Sequence, residues 1–218
     1  RELWDLGVIA GGVGWVNRDT TRVIGSAPEG GSRSSGVAMA DLYLDTLDRV
    51  AFPTKGWNLS ASWALSEDDA SGDAGGHNSY EVSFKMPVSF GRWTATGTIE
   101  AGRSTRHGEY QLGGAGRLSG SPDGRWSGSD KQFGSIGLAR NMSDQFDIGM
   151  PVWFGGSLEA GRAWNRSESS EYDSSYDDWK KAMSLYVGLD TYVGPVYLLW
   201  GKTFGEDSGL YFRWGYMR

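Results

Sequence analysis

The stretch Tyr80-Glu81-Val82-Ser83-Phe84-Lys85-Met86-Pro87-Val88-Ser89-Phe90 alternates large apolar residues with polar or small ones along its whole length. Val82, Phe84, Met86, Val88 and Phe90 point one way, and Glu81, Ser83, Lys85, Pro87 and Ser89 point the other. A period of two belongs to a strand, not a helix. Trp57-Leu59-Ala61-Trp63-Leu65 repeats the pattern against Asn58-Ser60-Ser62-Ala64, as does Leu185-Val187-Leu189-Thr191-Val193 against Ser184-Tyr186-Gly188-Asp190-Tyr192. Strands of a soluble sandwich average about five or six residues, whereas a tilted strand needs about ten to cross a bilayer. One face of these strands therefore suits lipid and the other suits water.

Composition agrees. The 218 residues include 34 Gly but only 6 Pro, with 11 Trp, 10 Tyr and 8 Phe, a mixture of turn formers and interface aromatics. Aromatic girdles at both membrane surfaces use residues of this kind. A mean hydropathy of −0.45 and the lack of an 18-residue apolar run exclude a helical membrane protein. They leave a barrel open, because half of each barrel strand faces a polar lumen. Cysteine is absent, so disulfide and thiolate-metal frameworks are excluded. The net charge of −6, without a basic stripe, argues against nucleic acid as a partner. The chain opens at Arg1 with Leu3-Trp4 already strand-like, so Arg1 reads as a cut start.

Ten strands are expected, at 3–16, 36–47, 57–66, 80–90, 93–104, 132–141, 152–165, 182–193, 196–204 and 209–218. The connections at 17–35, 67–79, 105–131 and 166–181 are long and polar, while those at 91–92 and 194–195 are tight. Connections at 48–56 and 142–151 are intermediate, and the short one at 205–208 is the exception on the long side. Long loops on one rim and short turns on the other are the habit of an antiparallel transmembrane β-barrel. Residues 1–218 thus read as one outer-membrane β-barrel domain or the C-terminal part of one. The 105–131 loop carries Gly113, Gly114, Gly116, Gly120, Gly124 and Gly128. Its length and glycine content suggest a segment packed back into the lumen, against the alternative of a surface loop.

Several segments in order carry a resemblance. They are Asp45-Thr46-Leu47-Asp48 with Phe52-Pro53-Thr54-Lys55-Gly56, Gln111-Leu112-Gly113-Gly114, Arg117-Leu118-Ser119-Gly120, Ser157-Leu158-Glu159-Ala160-Gly161 and Asp190-Thr191-Tyr192-Val193-Gly194-Pro195-Val196-Tyr197. Together they resemble the C-terminal barrel of the outer-membrane insertase superfamily, the bacterial surface antigen domain, and most of all its patatin-like autotransporter branch. The resemblance implies a sixteen-stranded barrel, of which this chain supplies the last ten strands, with periplasmic domains and a lipase domain upstream. It also implies a lumen loop whose tip locks onto an acidic residue of the wall. The matching tip is Leu118-Ser119-Gly120-Ser121, without the insertases' arginine and aromatic residue, and the matching acid is Glu159. The family usually ends in an aromatic residue, whereas this sequence stops at Met217-Arg218, so either the true end is missing or recognition uses Trp214 and Tyr216.

Alternation places Glu159 on the lumen side, and Arg117 is its expected partner, since a buried charge needs one. Asp45, Glu81, Lys85, Glu100, Asp190 and Arg213 are further expected lumen charges, with Lys85 and Glu100 close enough for a cross-strand pair. Trp57, Trp63, Trp200 and Trp214 fall on outward faces, as membrane-interface aromatics do. No enzyme is expected of this chain. Its two histidines, His77 and His107, lie in polar loops, and it has no G-x-S-x-G elbow. Asp173, Asp177 and Asp178 with Glu168 and Glu171 form an acidic loop without EF-hand spacing, so no metal or cofactor is expected. The expected partners are the bilayer, the barrel-assembly machinery during biogenesis and, in one arrangement, a second copy of the chain. The leading functional expectation is an anchor and translocator for an upstream passenger. An outer-membrane assembly or secretion factor, a plain diffusion pore and a soluble sandwich are the alternatives.

Overall fold

The computed structural model describes residues 2–3, 6–20, 31–66, 76–146, 148–165 and 178–215. Thirteen strands lie in these segments: β1 (Glu2–Leu3), β2 (Gly7–Thr20), β3 (Gly31–Asp45), β4 (Asn58–Ser66), β5 (His77–Phe90), β6 (Trp93–Ser104), β7 (Tyr110–Leu112), β8 (Trp126–Gly128), β9 (Asp130–Asn141), β10 (Val152–Trp164), β11 (Lys180–Thr191), β12 (Gly194–Thr203) and β13 (Ser208–Trp214). Eleven form one antiparallel sheet in the order β1-β2-β3-β4-β5-β6-β9-β10-β11-β12-β13, and β7 pairs with β8 as a separate hairpin. All ten expected strands are present. Two corrections apply: the first strand is split into β1 and β2, and the 105–131 loop contains the β7–β8 hairpin.

Register converts the alternation into two surfaces. Val82 faces Ala61 on β4 and Ala101 on β6, while Phe84 faces Leu59 and Ile99. The row continues around the sheet, and Ile136, Leu158, Leu210 and Phe212 on the same outward face are 72%, 66%, 70% and 73% exposed. An apolar surface spread over every long strand far exceeds the patch a soluble monomer shows. Hydrocarbon is the solvent that suits it. The soluble-sandwich alternative would need a second layer on this face.

The inward face is covered by the chain itself, from both rims. From the long-loop rim, residues 105–129 enter the concavity and build an apolar cluster of Leu112, Leu118 and Trp126 with Phe133, Ala163 and Ala182 of the wall. From the short-turn rim, the β3–β4 connection places Ala51 and Phe52 against Trp153 and Tyr197. Phe52 stacks on Trp153 at 5.4 Å and 5° and meets Tyr197 at 5.0 Å. A side chain at Gly188 would strike the Phe52 ring at 2.4 Å, which explains a glycine in mid-strand there. The sheet ends at β1 and β13, and among the described residues no pairing joins these two edges.

Candidate functional site

The loop is positioned by its two ends before its tip makes any contact. Asn165, just past β10, accepts hydrogen bonds from the amides of Gly108 (3.2 Å) and Ser129 (2.9 Å), tying both ends of the insertion to one wall residue. Tyr110 of β7 donates its phenol to the Tyr80 carbonyl at 2.6 Å. Burial, with Glu81 and Glu109 nearby, pushes this phenol up to about 12. Backbone conformation then shapes the tip. Gly113, Gly114, Gly116 and Gly120 all have positive φ, and Leu118 adopts +65°. At Gly120 a Cβ would lie 2.5 Å from the Thr203 amide nitrogen, so only glycine permits this approach to β12.

The tip meets the wall at Glu159, as the resemblance implies, but through different atoms from those expected. The Ser119 amide and hydroxyl donate to the two carboxylate oxygens at 2.7 and 2.9 Å, and the Ser157 hydroxyl adds a third bond at 2.5 Å. Glu159 is 4% exposed, so these donors replace the water it has lost. Arg117 does not pair with Glu159. The turn at Gly116 and Leu118 sends its guanidinium two strands along the same wall, to β6, where it donates to Glu100 at 3.0 Å.

Glu100 is the centre of a second contact. It is 7% exposed and also accepts from Lys131 at 3.3 Å, while Lys131, 3% exposed, donates to Glu81 at 2.6 Å. The expected Lys85–Glu100 pair is therefore absent. Register sets Lys85 opposite Thr98 and Glu100 opposite Ser83, and Lys131 and Arg117 take the carboxylate instead. Lys131 escaped the sequence reading because it sits at the loop–strand junction, where alternation is hard to count.

The loop's far side is held by β12 and β13. Thr203 lies 3.0 Å from the Ser121 hydroxyl and 3.1 Å from the Ser119 carbonyl. The Tyr211 phenol accepts from the Gly120 amide at 3.0 Å and donates to the Ser121 carbonyl at 2.7 Å. Arg213 faces the lumen, as expected, 3.6 Å from Asp123 of the loop. Asp45 instead serves the β3–β4 turn, accepting from the Leu47 amide at 2.9 Å and the Tyr43 phenol at 2.8 Å. Asp190 lies on the inward row of β11 opposite Pro195, near the short-turn rim.

The aromatics divide between the rims. Trp63 donates to Asn78 at 2.7 Å near the long-loop end, and Trp57 packs on Phe84 at 6.4 Å toward the other. Trp214 is exposed and donates to the Val193 carbonyl at 3.0 Å on the short-turn rim, and Trp200 lies outward on β12. Tyr216 and the acidic 166–177 segment lie outside the described residues. Ser104, three residues before His107, accepts from the Arg106 amide at 2.9 Å.

Fold and site together define an outer-membrane-type antiparallel barrel wall whose lumen is filled by its own loop. No protein-family model and no curated protein matches the sequence. Among solved structures, the chain is similar to BamA from Haemophilus ducreyi lacking POTRA domains 1–3, with a TM-score of 0.70 and 14% identity. The match covers 96% of this chain and 50% of that one, so the chain spans half the length of the structure it matches. The likeness is one of fold, that of the insertase-type barrel.

Proposed function

We propose that this chain is a non-catalytic barrel segment that resides in the outer membrane of a Gram-negative bacterium and anchors an upstream passenger. On this reading it is the translocator portion of a patatin-like autotransporter. The observation that carries the anchoring role is the doubly filled lumen: the loop on Glu159 and Glu100 from one rim, Phe52 on Trp153 and Tyr197 from the other. A diffusion pore keeps its bore open, whereas an anchor needs only a wall that lipid accepts. The Leu118-Ser119-Gly120 tip, without the insertases' arginine and aromatic, favours the autotransporter branch.

A second reading, assembly or secretion of other polypeptides, draws support from the unjoined edges at β1 and β13. Unpaired backbone groups are costly in hydrocarbon, so each edge needs a partner strand. Further strands of the same polypeptide, a second copy or a client chain would supply it. The barrel-assembly machinery is the expected partner during biogenesis.

Planar-bilayer conductance tests the anchoring role. The protein extracted from membranes is expected to stay closed, and deletion of 106–128 to raise steady conductance. Steady conductance of the unmodified protein would instead establish a diffusion pore. Protease shaving of intact cells, with and without the barrel, then reads whether an upstream domain depends on it for surface display.

A further inference from the structure

The outward rows of β10, β11 and β12 each carry a single charge, close to the long-loop rim: Arg162, Lys181 and Lys202. All three are positive. Register makes them consecutive diagonal neighbours on adjacent strands. Lys181 stands opposite Ala160, two residues from Arg162, and its carbonyl accepts from the amide of Phe204, two residues from Lys202. Diagonal neighbours in antiparallel strands lie about 7–8 Å apart, within the reach of long side chains. The three cations therefore occupy one patch of the outer surface.

The patch lacks a counter-charge of its own. Lys181 is exposed, and neither it nor Lys202 forms an ion pair with a described carboxylate. Lys202 donates only to the Glu206 carbonyl, at 3.4 Å, while the Glu206 carboxylate is shared by Lys180 and Arg125 at 3.8 Å each. Arg162 is held in place by Gln132, which accepts from its Nε and Nη2 at 3.1 and 3.0 Å, and by the Trp164 ring at 4.3 Å. Like charges this close repel, so an anion between them is favoured.

The surroundings define the molecule that carries the anion. Leu158, Leu185 and Trp200 lie toward the membrane and Trp179 and Phe204 toward the rim, all exposed. Indole rings mark the headgroup level of a bilayer. A negative head on the cations with acyl chains along the leucines matches this order. The long-loop rim is the outer one in barrels of this kind, and the outer leaflet of a Gram-negative outer membrane is built of phosphorylated glycolipid.

We propose that Lys181 and Lys202, with the Arg162 guanidinium beside them, bind a phosphate of one outer-leaflet glycolipid, whose acyl chains run over Leu158 and Leu185. The assignment rests on the outer-membrane residence proposed above, and not on whether the barrel anchors a passenger.

The test uses the protein extracted from membranes and stripped of lipid in detergent. It is titrated with diphosphoryl lipid A, with dephosphorylated lipid A and with phosphatidylglycerol, and retained lipid is read by native mass spectrometry. One diphosphoryl lipid A per chain is expected to bind saturably, at least about tenfold more tightly than either comparison lipid. The double variant Lys181→Gln with Lys202→Gln should weaken it at least about tenfold, the equivalent of one charge-assisted hydrogen bond. Lys181→Arg should keep most of the affinity. Arg140→Gln, on the outward row of β9 at the opposite rim, should leave it unchanged. Heat-modifiable migration checks folding, and if the double variant fails it, the comparison of lipids on the unmodified protein decides. Failure to bind diphosphoryl lipid A, equal binding of either comparison lipid, or binding indifferent to the double variant overturns the proposal. Membrane fractionation is scored separately: a barrel that fractionates with the outer membrane but fails the titration loses the site alone. One that binds in detergent but fractionates elsewhere refutes the residence and leaves the cation site standing.

Discussion

Ser119 holds Glu159 with two donors, its amide at 2.7 Å and its hydroxyl at 2.9 Å, one to each carboxylate oxygen. This two-point grip fixes the loop tip in rotation as well as position. Ser119→Ala removes one point and should cost about 1–2 kcal/mol, whereas Glu159→Gln turns an amide NH₂ toward existing donors and should cost about 2–3 kcal/mol. Protease protection of 105–129, followed against denaturant, reads both losses.

Gly120 and Gly201 mark where loop and wall touch backbone to backbone. A Cβ at Gly201 would come within 2.5 Å of the Ser119 Cβ, and Gly120 has φ +109° in addition to its contact with Thr203. Alanine at either position should release the tip while leaving the sheet paired, at about 1–3 kcal/mol for an overpacked contact. Circular dichroism should stay constant as protease sensitivity rises. Loss of strand signal together with the loop would show that the plug is part of the wall's own stability.

Val187 and Leu198 face each other across β11 and β12 on the outward side. Lysine at either should cost about 2–4 kcal/mol in a lipid-bound unfolding titration, the value for a cation near the bilayer midplane. Ser62→Lys, on the inward row of β4 opposite Glu81, should be nearly silent. Silence at Val187 and Leu198 as well would refute the lipid-facing assignment.

Lys131 sits between two carboxylates with almost no access to water. Lys131→Met leaves Glu100 with only Arg117, and removing one partner of a buried pair typically costs about 3–5 kcal/mol. A double variant with Glu100→Gln should recover part of that loss. Additive losses would mean that the two side chains do not act together.

Tyr110 gives the loop a pH response. Its phenol titrates near 10.0 when free and at about 12 when docked, so the folded state binds the proton more tightly. The resulting stabilisation is complete below about pH 10 and declines as pH rises toward 12. Alkaline titration should therefore loosen the β7–β8 hairpin in that window, and Tyr110→Phe should abolish the Tyr110 step in the 295 nm absorbance.

The strands were legible because lipid on one side and water on the other impose period two on every residue between Tyr80 and Phe90, and the same holds around the sheet. Glu159 was legible for the same reason, since alternation fixes its face. Partner choice inside the lumen was not. Arg117 and Ser119 are two residues apart, yet they reach different strands, β6 and β10 on either side of β9, because positive φ at Gly116, Leu118 and Gly120 reverses the chain between and around them. Such reversals have no periodic signature. Phe52 was hidden in another way: a lone aromatic in a turn looks like any loop residue until the register places Gly188 beneath its ring.

The loop and the Phe52 turn grip the lumen at different heights, and each has its own set of contacts. They are therefore two separate braces on one wall: a substitution at Phe52 should loosen the short-turn rim while the loop stays seated on Glu159, and one at Ser119 should free the loop tip while Phe52 stays stacked on Trp153.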